Sequence, residues 1–559
     1  MPNQIRDIYW KDDVSFPYIF EQNVSIELKD GKGIVRANVY RPKDHAAACH
    51  PVLVTYGPYG KDIHYSNFHN SSFQEVNEAH RSPHSAWETP DPGFWTRNGY
   101  AVLRADELGL GQSPGILDTM SAQTSLAFFD VIEWAASQPW STGKVGLLGV
   151  SYYAGSQWRV AALRPKGLAC IIPWEARNWG PDTIEGDLEL EELRANCRDQ
   201  TVDNARARFL DDEYYASKEY DLRDIEVPLL SVGNWGGILL HLRGNIEGYL
   251  NAGSKLKYLR LITGRHDLPF YSEDGVRLQK SFLDAFLKGI DSVGWSTGKA
   301  PRVELVLRKG DVGYNDPEAE KAYPRRAEID WPIPDTKYTK FYLTTDQAWT
   351  KDAVAELKSS THISYNALGN LKNQQLVHFT TDAFTEETEF TGHIMAHLNV
   401  CASKNHLSSQ SGPRDIDIFI TIRHLDATGK EIFYTGTVGD PVPVTKGWLR
   451  VSLRKVNENS PRNKPWYPHR KYLSMDEDLI VPERVYTVDV EVWPTNVVVQ
   501  RGEKLVLEVS SGDTQGAGLF EHNLPEDRPE GKFQGTNSIV FGPGLENWVL
   551  LPVIPPRLA

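Results

Sequence analysis

A chain of 559 residues that is 40% hydrophobic and 11% aromatic, with 16 Trp, has material for more than one packed domain and is too apolar to be disordered. Its formal net charge of −14 argues against nucleic acid or an anionic membrane as a partner; solubility alone accounts for it. No run of about 18 apolar residues suggests a membrane span, and the first residues lack the apolar core of a secretory signal.

The first half alternates strand-like and helix-like segments. Residues 33–40 alternate as a strand. Residues 51–56 form a short apolar strand ending in Gly57-Pro58-Tyr59-Gly60, and residues 100–105 form another ending at Asp106. A helix with an apolar side covers 125–138. Strands follow at 145–151, 168–173, 227–232 and 256–263, and an amphipathic helix at 277–288 is stopped by Gly289. Strands alternating with helices predict a mostly parallel α/β sheet covered on both faces. The charged stretch 177–224 reads as a helical cap inserted over that sheet, or as solvated surface helices. Beyond residue 300 the apolar period becomes two, at 302–307, 340–343, 391–400, 415–422, 448–453, 485–492 and 504–510, with turn residues between, which predicts an antiparallel sandwich or jelly roll. The expected organisation is an α/β domain at 1–300 with its cap at 177–224, then an all-β jelly roll at 301–559. The polar segment 308–334 straps the two together.

The four cysteines, Cys49, Cys170, Cys197 and Cys401, are far apart without a C-x-x-C pair. They read as free thiols of a reducing compartment, hence a cytoplasmic protein.

The chemistry concentrates at Gly149-Val150-Ser151-Tyr152-Tyr153. An apolar strand runs into a sharp turn at Ser151 and then a helix, which raises the serine hydroxyl above the sheet end, next to helix N-terminal amides able to hold an oxyanion. Tyr153 stands where the strict motif has its second glycine. The strand at 256–263 runs into Gly264-Arg265-His266-Asp267. That places His266 after the serine in the chain order of an α/β-hydrolase triad, as candidate base.

Several stretches together resemble the CocE/NonD hydrolases, the group of cocaine esterase, glutaryl acylases and X-prolyl dipeptidyl-peptidases. They are Gly57-Pro58-Tyr59-Gly60-Lys61, the segment from Asp106 to Gly115 that is similar to a D-x-R-G-x-G-x-S-x-G pattern, the Gly149-Val150-Ser151-Tyr152 elbow, Gln157-Trp158, and Ile172-Pro173-Trp174-Glu175. The resemblance implies an α/β-hydrolase domain followed by a jelly roll. It implies Ser151 as nucleophile, His266 as base, and an oxyanion hole from the Tyr152 amide and the Tyr59 hydroxyl.

One element of the family pattern is missing. The family's triad Asp falls on Gly236 or Gly237, and neither offers a carboxylate. The candidate substitutes are Glu175, at the end of the strand after the nucleophile helix, Asp267 or a cap carboxylate; the remaining alternative is no acid at all. Trp87, Trp95, Trp174 and Trp235 are expected to wall the substrate pocket. His64, His69, His80 and His84 do not match a metal-ligand spacing, and His241 reads as structural.

The expected activity is serine hydrolysis of an ester, thioester or activated amide of a bulky small molecule, without cofactor or metal. Esterase or thioesterase chemistry is favoured, because amide leaving groups demand most of the acid–base pair. The alternative is a non-hydrolytic pseudo-hydrolase, or a cyclase or isomerase using the same pocket. The expected partner is the small-molecule substrate, with neither nucleic acid nor membrane, and a homodimer stays open.

Overall fold

The structure is a computed structural model that describes residues 7–31, 33–44, 48–176, 195, 197–352, 357–404, 412–518 and 520–557. Residues 177–194 and 196 of the expected cap lie outside the described residues. Its described remainder forms short helices at Gln200–Arg206 and Glu213–Ala216.

The first domain is built on one eleven-stranded sheet. Its strands are β1 (Trp10–Asp12), β2 (Tyr18–Glu27), β3 (Ile34–Pro42), β4 (His50–Gly57), β5 (Ala101–Asp106), β6 (Ser141–Ser151), β7 (Leu168–Ala176), β8 (Leu229–Asn234), β9 (Lys257–Ile262), β10 (Val303–Val306) and β11 (Arg325–Glu328). The spatial order is β1-β2-β3-β5-β4-β6-β7-β8-β9-β10-β11. The pairs from β5 to β10 are parallel, and antiparallel strands close both edges. β4, β5 and β8 are buried along their whole lengths, because helices cover both faces. The covering helices include α1 (Ala122–Ser137), α2 (Tyr152–Ala162), α3 (Leu242–Asn251) and α4 (Glu273–Leu283). The Ser121 hydroxyl caps α1 by accepting the Thr124 amide. α4 continues through Asp284–Lys288 and ends at Gly289 in the left-handed conformation, φ 73°.

The sequence reading assigned the strand at 302–307 to the second domain. In the structure Val303–Val306 pairs in parallel with β9, and Arg325–Glu328 pairs with it in turn. The α/β sheet therefore runs to Glu328, into the segment expected to be a strap.

The second domain is all-β. Its twelve-stranded sheet is antiparallel, and its main path runs from Trp349–Thr350 through Lys337–Leu343, Trp548–Ile554, Thr388–Ser403, Tyr486–Val499, Thr445–Arg450, Asp417–Leu425 and Lys504–Ser510 to Leu376–Thr380. The sheet curls around one apolar core, as a jelly roll does. Ile238, from the loop after β8, is embedded in that core, so the first domain inserts a residue into the second. Arg243 on α3 pairs with Glu491 at 2.6 Å, and Arg462 pairs with Glu247. The buried Arg308 guanidinium donates to the Asn496 carbonyl and the Thr495 hydroxyl.

Candidate active site

β6 reaches the site through two glycines with no room for a side chain. A Cβ on Gly146 would lie 2.8 Å from Leu287, and one on Gly149 would lie 2.6 Å from the Tyr153 Cβ. The chain then turns at Ser151, with φ 58° and ψ −118°, a strained conformation for a non-glycine residue and the one a nucleophile elbow requires. Tyr153, in the motif's second-glycine position, is accommodated by a third glycine: a Cβ on Gly57 of β4 would lie 2.7 Å from its ring. Ser151 stands at the N-terminus of α2, whose first amides have no intrahelical acceptor.

The loop carrying Tyr59 leaves β4 just before this point. Asp106, at the end of β5, anchors it by accepting the Lys61 amide at 2.6 Å and pairing with the buried Lys61 ammonium at 3.7 Å. Tyr59 lies in an aromatic cluster with Tyr152 and Tyr153, its ring 6.2 and 5.4 Å from theirs, over the start of α2. The Tyr152 phenol itself accepts the Met120 amide at 2.8 Å.

His266 follows β9 and is buried. Its Nδ1 lies 3.0 Å from Glu175 Oε2, at the end of β7. Glu175 adopts φ 48°, another left-handed non-glycine residue. Asn234 at the end of β8 donates to Glu175 Oε1 at 3.4 Å and to the Gly264 carbonyl at 2.7 Å, tying three strand ends together. The His266 amide donates to the Thr437 carbonyl at 2.9 Å, so the second domain fixes the backbone of the histidine loop.

The other ring nitrogen has a partner that the sequence reading missed. His266 Nε2 lies 2.7 Å from Glu88 Oε1. Glu88 is fully buried with φ 62°, and its carbonyl accepts the Val150 amide at 3.0 Å, one residue before the serine. The imidazole is thus turned to Glu88 and not to the Ser151 hydroxyl. No local pattern marks Glu88. It lies in an irregular loop between a 3-10 turn and the helix at Pro92–Arg97, and only the fold brings it to the histidine.

Asp267 is otherwise engaged. It accepts from the Tyr65 hydroxyl at 2.8 Å, from the Ser72 hydroxyl, and from Trp87 Nε1 at 3.4 Å. Burial alone would raise it, but these donors and the His266 charge hold it below the usual carboxylate value. Burial raises both Glu88 and Glu175, with His266 opposing. Burial also opposes a charge on His266, but the two glutamates outweigh it and keep the imidazole protonated well above its ordinary range.

The missing family Asp has a steric cause. A Cβ on Gly236 would lie 1.8 Å from the Thr435 carbonyl oxygen, so a loop of the second domain fills the space of that side chain. At Gly237 a Cβ would lie 3.1 Å from the Asn234 carbonyl and 3.8 Å from Glu175 Oε2, so Glu175 delivers its oxygen close to the place left vacant.

The expected tryptophan walls are corrected in part. Trp87 borders the site, its ring 6.5 Å from His266 and stacked on Phe68. Trp95, Trp174 and Trp235 are core residues: Trp95 packs on Phe94 and Tyr100, Trp174 on Phe270, and Trp235 donates to the Val306 carbonyl at 2.8 Å. A cavity of about 470 Å³ lies between α2 and α3, lined by Met120, Trp158, Arg159, Tyr220, Leu240 and Glu247 among others.

The other histidines have structural places. His64 and His69 cap short helices. His80 packs on Phe94, and His84 meets the Tyr18 hydroxyl at 2.7 Å. His241 precedes α3 and stacks on His266, centroids 4.7 Å apart and planes 20° from parallel. Glu175, His241 and His266 each bring a ligand atom within 4.8 Å of the others. Stacked rings direct their nitrogens within their own planes, and both His266 nitrogens face carboxylates, so the cluster fits a buttressed histidine better than a chelate.

Comparison with known proteins agrees with this architecture. Residues 30–186 match the X-Pro dipeptidyl-peptidase (S15 family) model, and residues 294–550 match the X-Pro dipeptidyl-peptidase C-terminal non-catalytic domain. The crystal structure of a CocE/NonD family hydrolase from Staphylococcus aureus superimposes with a TM-score of 0.79 at 25% identity, covering 96% of this chain and 94% of that one. Over nearly its whole length the chain is similar to the CocE/NonD hydrolases. Cocaine esterase from Rhodococcus sp. (strain MB1 Bresler) is 22% identical, with 96% of this chain and 99% of the esterase aligned. An α-amino acid ester hydrolase, at 15% identity and a TM-score of 0.66, shares the fold over 98% of this chain. As in those relatives, an α/β-hydrolase domain precedes an all-β domain. Among the described residues no helix is long and apolar enough to cross a membrane.

Proposed function

We propose that this protein is a serine hydrolase acting on an ester, thioester or activated amide of a bulky, largely apolar small molecule. Ser151 attacks the carbonyl, and His266 takes its proton and returns it to the leaving group. Glu175 holds the imidazole at Nδ1 and stabilises its cation in place of the usual Asp. The Tyr152 amide and the Tyr59 hydroxyl hold the oxyanion, and water then releases the acyl group. The observation that carries the reading is the contact of 3.0 Å between Glu175 and His266, beside a strained serine at a helix N-terminus. It supplies the carboxylate that the glycine pair cannot. Trp87, Phe68 and Tyr59 give the site an aromatic border suited to an apolar acyl group. Four free cysteines among the described residues support a reducing, cytoplasmic setting.

The contact between Glu88 and His266 favours a second reading, proton-transfer chemistry such as cyclisation or isomerisation in the same pocket. Intact-mass labelling with a fluorophosphonate separates the two. Single-site labelling that disappears in Ser151→Ala is the expected result. Folded protein that does not label at any pH defeats the hydrolase reading and favours the second.

A further inference from the structure

Hydrolysis as proposed uses Ser151, His266 and Glu175 and gives Glu88 no task. Yet Glu88 is built into the site. Its backbone is held left-handed and bonded to the strand that delivers the serine, and its Oε1 takes the nitrogen with which His266 would reach Ser151. Its other oxygen, Oε2, is buried without a hydrogen-bond partner among the described residues. A buried carboxylate left half-satisfied is costly unless the arrangement serves something.

We propose that Glu88 is a positioning residue that holds His266 as a serine-free imidazolium in the resting enzyme, and that an apolar substrate releases it by drawing the shared proton onto Glu88. This rests on Ser151 being the nucleophile. The step balances as one proton moved. The Nε2–H bond of the imidazolium breaks, the proton joins the Glu88 carboxylate, and the histidine is left neutral with a lone pair at Nε2. Neutral Glu88 has lost its attraction to the ring and turns away, and the lone pair then receives the Ser151 proton.

The driving force is desolvation. Resting, the trio holds an imidazolium between two carboxylates. After the transfer it holds a neutral imidazole, one carboxylic acid and one carboxylate. An apolar acyl group that expels water from the site favours the state with fewer charges. The consequence is a serine that stays quiet until a fitting substrate fills the pocket.

Other ionisable groups face this pair from every side. Glu175 comes from β7, Asp267 from the histidine loop with Arg265 acting on it, and His241 from the turn before α3. Tyr153 stands on α2, and Tyr271 accepts the Thr89 amide beside Glu88. Burial of Glu88 keeps its carboxyl easy to protonate, which suits a transient proton holder.

The test is the fluorophosphonate labelling rate from pH 5 to 10 for the full-length wild type, Glu88→Gln and Glu88→Asp, with Ser151→Ala as the blank. Glutamine keeps the shape and an acceptor for Nε2 but removes the charge, so Glu88→Gln is expected to label at least about tenfold faster at pH 7, its profile moved about one pH unit or more to the acid side. Glu88→Asp, charged but one methylene short, is expected between the two, and it carries the test if the glutamine variant does not fold. A folded variant that labels no faster than wild type at pH 7 overturns the proposal. Absence of labelling in every variant overturns the nucleophile assignment instead, so the two failures are distinct.

Discussion

At the end of β7 the chain enters a left-handed turn at Glu175 and delivers a carboxylate to His266. At the end of neighbouring β8 it places two glycines against the Thr435 carbonyl and sends Ile238 into the core of the second domain. The two strand ends lie side by side in a parallel sheet, where ligand sites form, and they have divided two tasks. In the family pattern the β8 end carries the acid. Here it joins the domains, and the carboxylate that meets His266 Nδ1 comes from one strand earlier. A triad is recognised by geometry and not by sequence position, so the exchange keeps the chemistry as long as an oxygen reaches Nδ1. Asn234 is where the tasks still touch, since its amide reaches both Glu175 and the Gly264 carbonyl while its oxygen accepts the Gly236 amide at 2.9 Å.

The largest expected effect breaks the contrast from the β7 side. Glu175→Gln should lower turnover of an activated ester by about a thousand- to ten-thousandfold while the protein still unfolds cooperatively, its thermal midpoint moved by about a few degrees, whereas Gly237→Ala should leave turnover within about threefold. Retained activity in Glu175→Gln would mean that the carboxylate is structural. From the β8 side, Gly236→Ala drives a methyl group into a backbone carbonyl. It should cost about 3 kcal/mol or more and appear as lost soluble expression or a midpoint several degrees lower. A stable Gly236→Ala protein would remove the steric account of the missing acid. Asn234→Ala should act on both tasks mildly, lowering kcat about tenfold with KM little changed, as expected for a residue that orients the acid without touching substrate.

Much of this was legible in the residues themselves. The run into Ser151, the position of His266 after β9, and the succession of strands and helices that makes a mostly parallel sheet follow from apolar runs and turn residues close in sequence. The absence of an acid at Gly236 and Gly237 was equally visible. Its cause was not, because Thr435 lies about two hundred residues away and meets Gly236 only across the domain interface. Glu88 was hidden for the same reason: a loop glutamate has no periodicity to betray it, and its partner is 178 residues distant. β10 reads as a sandwich strand because alternation says nothing about which sheet a strand joins. Trp95, Trp174 and Trp235 show the corresponding limit for composition, since a bulky ring fills a core or walls a pocket with the same residue type.

The smallest expected effect sharpens the electrostatic half of the comparison. Burial alone would lower the His266 value, and Glu175 with Glu88 raises it from 6.5 to about 10. Between those values the folded protein keeps a proton that the unfolded chain releases. The stabilisation is therefore complete below pH 6.5 and is lost as the pH rises toward 10. Glu88 acts in the same direction at lower pH. Burial raises it from 4.5 to about 7, so folding favours its protonated form and stability declines as the pH climbs through that interval. Asp267 acts oppositely, its contribution present above pH 3.8 and fading below. Titrating groups outside the trio of Glu88, His266 and Glu175 cancel if the wild type is compared with His266→Gln by thermal denaturation at fixed ionic strength. The gap in midpoint between them should be a few degrees near pH 6 and should narrow steadily toward pH 10. A gap that stays constant or widens would show that His266 is not held as an imidazolium, and the end of β7 would then supply orientation to the histidine without supplying charge.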